Sequence, residues 1–171
     1  TQVNTEINQI LISRAIELLN PQANEIVADL FCGIGNFSLP LARRAAQVVG
    51  VEGSEVMVKR AAQNAARNNL SDKTKFLAAD LFKITEESMA ALGRFDKMLI
   101  DPPRDGAAEV VKSFGEHAPR SIVYVSCNPS PLARDAATLV NDKGDKLRAA
   151  GVINMFPHTA HVESMALFER D

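Results

Sequence analysis

The sequence predicts an α/β fold, a mostly parallel seven-stranded sheet with helices on both faces. Two observations carry the prediction. Short apolar runs recur along the 171 residues, and five in a row are each followed by a turn and a segment of helical periodicity. The last two runs, Lys146 to Asn154 and Val162 to Glu169, have no long helix between them and read as an antiparallel hairpin at the C-terminal edge.

Ile7, Ile10, Leu11, Ala15, Leu18 and Leu19 fall at helical spacing, so Asn4 to Leu19 reads as an amphipathic leading helix that Asn20-Pro21 ends. Glu25 to Phe31 is the first strand, followed by a glycine turn and a helix through Ala46. Gln47 to Glu52 is the second, with a helix from Glu55 to Asn68. Lys75 to Ala79 is the third, with a helix from Ile84 to Leu92. Phe95 to Asp101 is the fourth, then Pro102-Pro103 and a helix from Ala107 to Phe114. Ser121 to Ser126 is the fifth, with a helix from Pro131 to Asn141. No repeat, low-complexity tract or linker divides the chain. One domain is expected over 1–171, a leading helix at 1–20 and an α/β core at 21–171.

Hydrophobic residues make up 46% and charged residues 23%, the balance of a soluble globular domain. The formal net charge of −2 and a pI of about 5.9 advertise no whole-chain grip on nucleic acid. No apolar run approaches a membrane span and TQVNTEINQ has no signal-peptide character, so a cytoplasmic protein without membrane contact is expected. Cys32 and Cys127 are too few for a zinc site or an iron–sulfur cluster, and two reduced thiols are expected.

In a parallel sheet the ligand lies beyond the carboxyl ends of the strands. The first strand ends in DLFCGIGNFSLPLA, where Gly33 and Gly35 permit a tight turn and close backbone approach before a helix. The second ends at Glu52, placed to accept both ribose hydroxyls of an adenosine group. NAD and S-adenosylmethionine both fit so far. Ser38 stands at the third glycine of the dinucleotide fingerprint, and Asp80 and Asp101 add carboxylates to the rim after Glu52. Three carboxylates repel a pyrophosphate and suit a sulfonium and an ammonium, which favours the methyl donor. Asp80 and Asp101 also suit plain helix capping or turn formation.

Asp101-Pro102-Pro103-Arg104 is a stiff ledge, either a rigid connection or a wall for a planar base, with Arg104 facing phosphate or solvent. Cys127 follows the fifth strand, with Ser130-Pro131 read as the N-cap and first-turn proline of the next helix. A thiol just before a helix N-terminus is favoured as thiolate. Asn128-Pro129 reads as the turn that aims it. Cys32, inside the glycine turn, reads as structural. His158 and His161 lack a third ligand, and no metal is expected. Glu163 at the start of the last strand is either an exposed strand-end residue or a general base.

Methylation at C5 of a pyrimidine needs a thiolate to add at C6, a methyl donor, and a base to remove the C5 proton. Cys127, the adenosine site and Glu163 supply those parts, and the target base has to leave its stack to reach them. QVNTEIN, DLFCGIGNFSLPLA, VVGVEGS, DPPR, IVYVSCNPSPLARD and MFPHTAHVESMALF together resemble the catalytic domain of the RNA uracil-C5 methyltransferases, above all those acting on bacterial 23S rRNA. The resemblance runs nearly the full length. It implies a class I S-adenosylmethionine-dependent, Rossmann-like fold, Cys127 as nucleophile and Glu163 as base. Gln2, Phe31, Asn36, Glu52, Asp80 and Asp101 match the family's cofactor positions, although the family often has Asn where Asp80 stands. Full-length members also carry a TRAM domain and an iron–sulfur segment. Neither is found here, so a catalytic-domain piece with weak RNA affinity of its own is expected, with no obligate protein partner.

Rival readings are a tRNA uracil-C5 methyltransferase, an RNA cytosine-C5 methyltransferase, and a non-enzymatic nucleotide-binding module. Cytosine enzymes usually add a cysteine after the fourth strand, where this chain has Asp-Pro-Pro-Arg. A nucleotide-binding module leaves the pairing of Cys127 with Glu163 unexplained.

Overall fold

The computed structural model describes residues 2–154 and 162–171, with the backbone alone for Gln2, Val3, Asn4, Asn154 and Val162. The elements run α1 (Gln2–Leu19), β1 (Ile26–Leu30), α2 (Ser38–Ala42), β2 (Gln47–Glu52), α3 (Glu55–Arg67), β3 (Thr74–Ala78), α4 (Glu86–Leu92), β4 (Lys97–Ile100), α5 (Ala108–Lys112), β5 (Ser121–Ser126), α6 (Pro129–Ala137), β6 (Lys146–Asn154) and β7 (Val162–Glu169). The seven strands form one sheet in the order β3-β2-β1-β4-β5-β7-β6. β1 to β5 pair in parallel, and β7 runs antiparallel between β5 and β6. The closing hairpin is the antiparallel edge expected from sequence. Its order is additional information, because the last strand tucks inside and β6 lies outermost.

Alternation along the buried strands builds two cores. On one face Ala28, Leu30, Met98, Ile100, Ile122, Tyr124 and Phe168 pack with Met89, Val110, Val111 and Leu139. On the other, Val27, Val48, Leu99, Val123 and Val125 pack under Leu11, Ala15, Ile16 and Leu19 of α1 and Leu41 of α2.

The helices on the carboxyl side differ most from expectation. α2 stops at Ala42 instead of running through Ala46. The amides of Ala46 and Gln47 are taken by the carbonyl of Glu25. α5 is likewise confined to Ala108–Lys112. α6 begins at Pro129, two residues earlier than Ser130-Pro131 suggested, because Asn128 is the N-cap. Its side chain accepts from the Ser130 amide, and Pro129 takes the first position. The helix then widens into a π-helical turn over Thr138–Asp142, where Leu139 is fully buried.

The strand order reverses between β1 and β4. Successive strands grow outward to β3 on one side and to β5 on the other, which opens a crevice at the carboxyl ends of β1 and β4. Leu30 pairs with Ile100, and the Asp101 amide donates to the Leu30 carbonyl at 3.4 Å. Phe31 and Asp101 therefore leave the sheet side by side.

Candidate active site

The chain leaves β1 through Phe31, which holds a left-handed φ of 60°. A bulky residue in that region costs about 1–3 kcal/mol, and such strain concentrates at functional sites. Its half-buried ring packs against exposed Phe82, with centroids 5.7 Å apart and planes tilted by 55°. Gly33 follows with φ of 56°, and a Cβ added there would meet nothing within 4 Å. The backbone at Gly33 thus faces open space. Asn36 is exposed on the same turn.

Glu52 is locked to this turn. One carboxylate oxygen accepts from the Gly33 amide at 3.3 Å and the other from the Ser54 amide at 2.8 Å. Each oxygen keeps a further lone pair for a ligand hydroxyl. Asp80 is exposed and accepts from the Phe82 amide at 3.0 Å, so it fills the turn-forming role considered from sequence.

Asp29 was passed over by the sequence reading, although a lone carboxylate inside the apolar run IVADL was a signal. It is fully buried beneath the glycine turn. Ser38, the residue in place of the third fingerprint glycine, donates to one of its oxygens at 2.5 Å. The other oxygen has no partner among the described residues. Burial, reinforced by the nearby charge of Asp101, pushes Asp29 up to about 7. Asp101 is itself raised to about 7, first by burial and then by the charge of Glu163. Glu163 is raised by burial in turn. Asp101 and Glu163 are thus close enough to feel each other.

β5 and β7 bring the remaining pair together. Their ladder ends at Ser126 opposite Ser164, and the next residues along the two chains are Cys127 and Glu163. The Cys127 thiol is exposed, whereas Cys32 is buried with its thiol pushed up by desolvation and by Asp29 and Glu52. Cys32 is inert as a nucleophile in that setting, in line with a structural role. Ser126 Oγ accepts from the Asn128 amide at 3.0 Å and donates to the Asn128 carbonyl at 2.7 Å. Asn128 Nδ2 donates to the Arg104 carbonyl at 3.3 Å, tying the cysteine turn to the proline ledge. Pro102 is buried; Pro103 and Arg104 are exposed.

The candidate site therefore joins Phe31, Gly33, Gly35, Asn36, Glu52 and Asp80 on one side of the crevice to Asp101, Pro102, Cys127 and Glu163 on the other. The side chain of Gln2, and His158 and His161, lie outside the described residues. Open space at Gly33, an unpartnered buried carboxylate oxygen and two further raised carboxylates fit a cationic adenosine ligand better than a pyrophosphate. No helix among the described residues is long and apolar enough to cross a membrane.

A family model described as tRNA (Uracil-5-)-methyltransferase matches residues 1–171. A protein of Dechloromonas aromatica (strain RCB), named 23S rRNA (uracil(1939)-C(5))-methyltransferase RlmD, is 60% identical over 169 residues, covering 99% of this chain and 39% of that protein. One of the same name from Azoarcus sp. (strain BH72) is 64% identical over 171 residues, covering 99% and 40%. The chain thus spans about two fifths of the length of the curated relatives it matches. The crystal structure of Pyrococcus abyssi tRNA (uracil-54, C5)-methyltransferase in complex with S-adenosyl-L-homocysteine superposes with a TM-score of 0.77 at 31% identity, covering 94% of this chain and 38% of that one. Magnesium protoporphyrin IX methyltransferase from Synechocystis PCC 6803 with bound SAM, at 20% identity and a TM-score of 0.71, covers 96% of this chain and 79% of its own, and shares the fold.

Proposed function

The chain belongs to the tRNA (uracil-5-)-methyltransferase family, and from that premise we propose that it carries the catalytic machinery for methylating C5 of a uridine in 23S rRNA with S-adenosylmethionine. The observation that carries the proposal is the placement of Cys127 and Glu163 as the next residues beyond the last β5–β7 pair, with Glu163 close enough to Asp101 to raise it. The 23S substrate is proposed from the high-identity relatives, and a cytoplasmic location is proposed along with it.

Glu52 and the Gly33 turn hold the adenosine end, and Asp101 with Asp29 offers negative charge to the cationic end. When bound, the donor supplies an electrophilic methyl group on a sulfonium. Cys127 Sγ adds to C6 of the flipped uracil, the ring electrons move toward O4, and C5 becomes nucleophilic enough to take the methyl. Glu163 then removes the C5 proton, the C5–C6 double bond re-forms, and the C6–S bond breaks to release the thiolate. A carboxylate raised by burial is better matched to that proton than an exposed one.

The test uses RNA carrying 5-fluorouridine, whose C5 substituent cannot leave as a proton. The full-length chain is expected to form a covalent adduct at Cys127, and Cys127→Ala none. An undiminished adduct in Cys127→Ala would sink the nucleophile assignment. Glu163→Gln is expected to add its thiol to normal RNA and stall before release, and full turnover in that variant would refute the base role. Running 23S and tRNA substrates side by side separates the two RNA classes.

A further inference from the structure

Four consecutive residues of the turn after β4 are held by the helix that follows Cys127. Asn128 Nδ2 donates to the Arg104 carbonyl at 3.3 Å. Arg134 Nη2 donates to the Asp105 carbonyl at 2.9 Å. Gly106 has φ of 86°, and a Cβ there would lie 2.7 Å from Arg134 Nη2 and from Pro131 Cβ. The Ala107 amide donates to Asp135 Oδ2 at 2.8 Å. The same Asp135 oxygen accepts from Tyr124 Oη of β5 at 2.5 Å, and Arg134 Nε donates to the other oxygen at 3.1 Å. Asp135 is fully buried, so one carboxylate ties the fifth strand, the helix and the turn together out of water.

Adhesion between a helix and a loop does not need this arrangement. Apolar residues of similar volume often hold such a contact as well or better, whereas a satisfied polar network fixes one geometry. The geometry fixed here has the thiol at one end and the proline ledge at the other. The turn begins at Asp101 and carries Pro102 and Pro103, and the helix begins two residues after Cys127.

We propose that Arg134 and Asp135 are positioning residues that clamp the Asp101–Ala107 turn to the first turns of α6, and so set the separation between the attacking thiol and the proline ledge, taken as the wall for the pyrimidine. The proposal rests on the methyl-transfer reading above. It needs no contact between either residue and the RNA or the cofactor, because both act through Asn128, the turn and Cys127.

The experiment measures three quantities in the full-length chain: adduct formation with 5-fluorouridine RNA at saturating RNA, cofactor affinity by calorimetry, and amide hydrogen exchange over 102–107 and 128–134. Arg134→Ala is the principal variant, because the side chain is half exposed and Asp135 keeps its Ala107 and Tyr124 donors without it. The adduct rate is expected to fall by about tenfold or more, since small misplacements of reacting groups cost up to about a hundredfold. Cofactor affinity is expected to change less than about twofold, with exchange faster in both segments together. Arg134→Lys keeps the charge but not the fork that reaches Asp105 and Asp135, so its rate is expected to stay near that of Arg134→Ala. Full rescue by lysine would assign the residue to phosphate binding and overturn the clamp. An unchanged adduct rate, or faster exchange in one segment alone, would overturn it as well. No adduct in the parent chain would instead bring down the methyl-transfer reading, and with it the purpose of the clamp. Tyr124→Phe, which removes one donor to Asp135 and little volume, is expected to show a weaker form of the same pattern.

Discussion

Buried and half-buried carboxylates sit at both ends of the sheet and are treated in opposite ways. At the amino ends of β1 and β4, Glu25 is paired with Lys97 at 3.1 Å and with Arg120 at still closer range, and it also accepts from the Gln22 amide at 2.7 Å. Lys97 donates in addition to the Asn20 carbonyl, and Asp96 accepts from the Ile26 amide at 2.8 Å. At the carboxyl ends, Asp29, Asp101 and Glu163 have no lysine or arginine partner among the described residues. All three are raised, chiefly by burial. One end completes its charges within the chain, and the other leaves negative charge to be met by something that binds. Uncompensated burial costs stability, and it is retained where a ligand recovers the cost.

The widest separation between the two ends comes from removing a carboxylate at each. Glu25→Ala leaves Lys97 buried without its acidic partner and is expected to cost about 3–5 kcal/mol, read by denaturant unfolding. The fraction that stays folded should bind cofactor normally. Asp101→Asn is expected to do the reverse, with stability kept or raised at pH 8 and cofactor affinity lost. Equal losses of stability from the two variants would erase the distinction between the ends.

The contrast was only half legible in the sequence. Apolar runs punctuated by Gly, Pro and Asp placed β2, β5, β6 and β7 at their observed bounds, since buried strands carry their own pattern. The short helices were not legible, because their ends are set by distant groups such as the Glu25 carbonyl that captures Ala46 and Gln47. Glu52, Asp101 and Cys127 stood out by their places at the carboxyl ends of strands, and Glu163 by its place at the start of the last one. Asp29 did not, because its importance lies in what fails to reach its second oxygen. The neighbouring positions of Cys127 and Glu163 depend on β7 tucking in beside β5, and local sequence says nothing of strand order.

A smaller effect sharpens the carboxyl end. A ligand cation favours the ionised form of Asp101, which is held protonated below about 7 in the free chain. Binding therefore expels a proton at pH 6, and affinity for S-adenosylmethionine is expected to rise about tenfold from pH 6 to 8 before levelling off. Calorimetry in buffers of different ionisation enthalpy counts that proton directly. Glu163→Gln removes the charge that helps raise Asp101, so the rise should move to lower pH. Affinity independent of pH in the parent chain would show that Asp101 does not meet the cation.

The smallest effect concerns Asp29, where the cost of the unmet charge can be read without any ligand. Its folded value near 7 lies above the ordinary 3.8, so the native state holds a proton that the unfolded chain releases between those values. The stability this provides is fully present below about 3.8 and is lost as pH rises through about 7. Asn keeps an oxygen for Ser38 and cannot ionise. Asp29→Asn should therefore match the parent near pH 4 and gain on it steadily toward pH 7, with a higher melting point at pH 8. The gain should shrink when saturating S-adenosylmethionine is present, since a bound cation offsets the same charge. A variant that is less stable than the parent at pH 8 would mean that the second oxygen is satisfied in solution, and Asp29 would then belong with Glu25 rather than with Asp101.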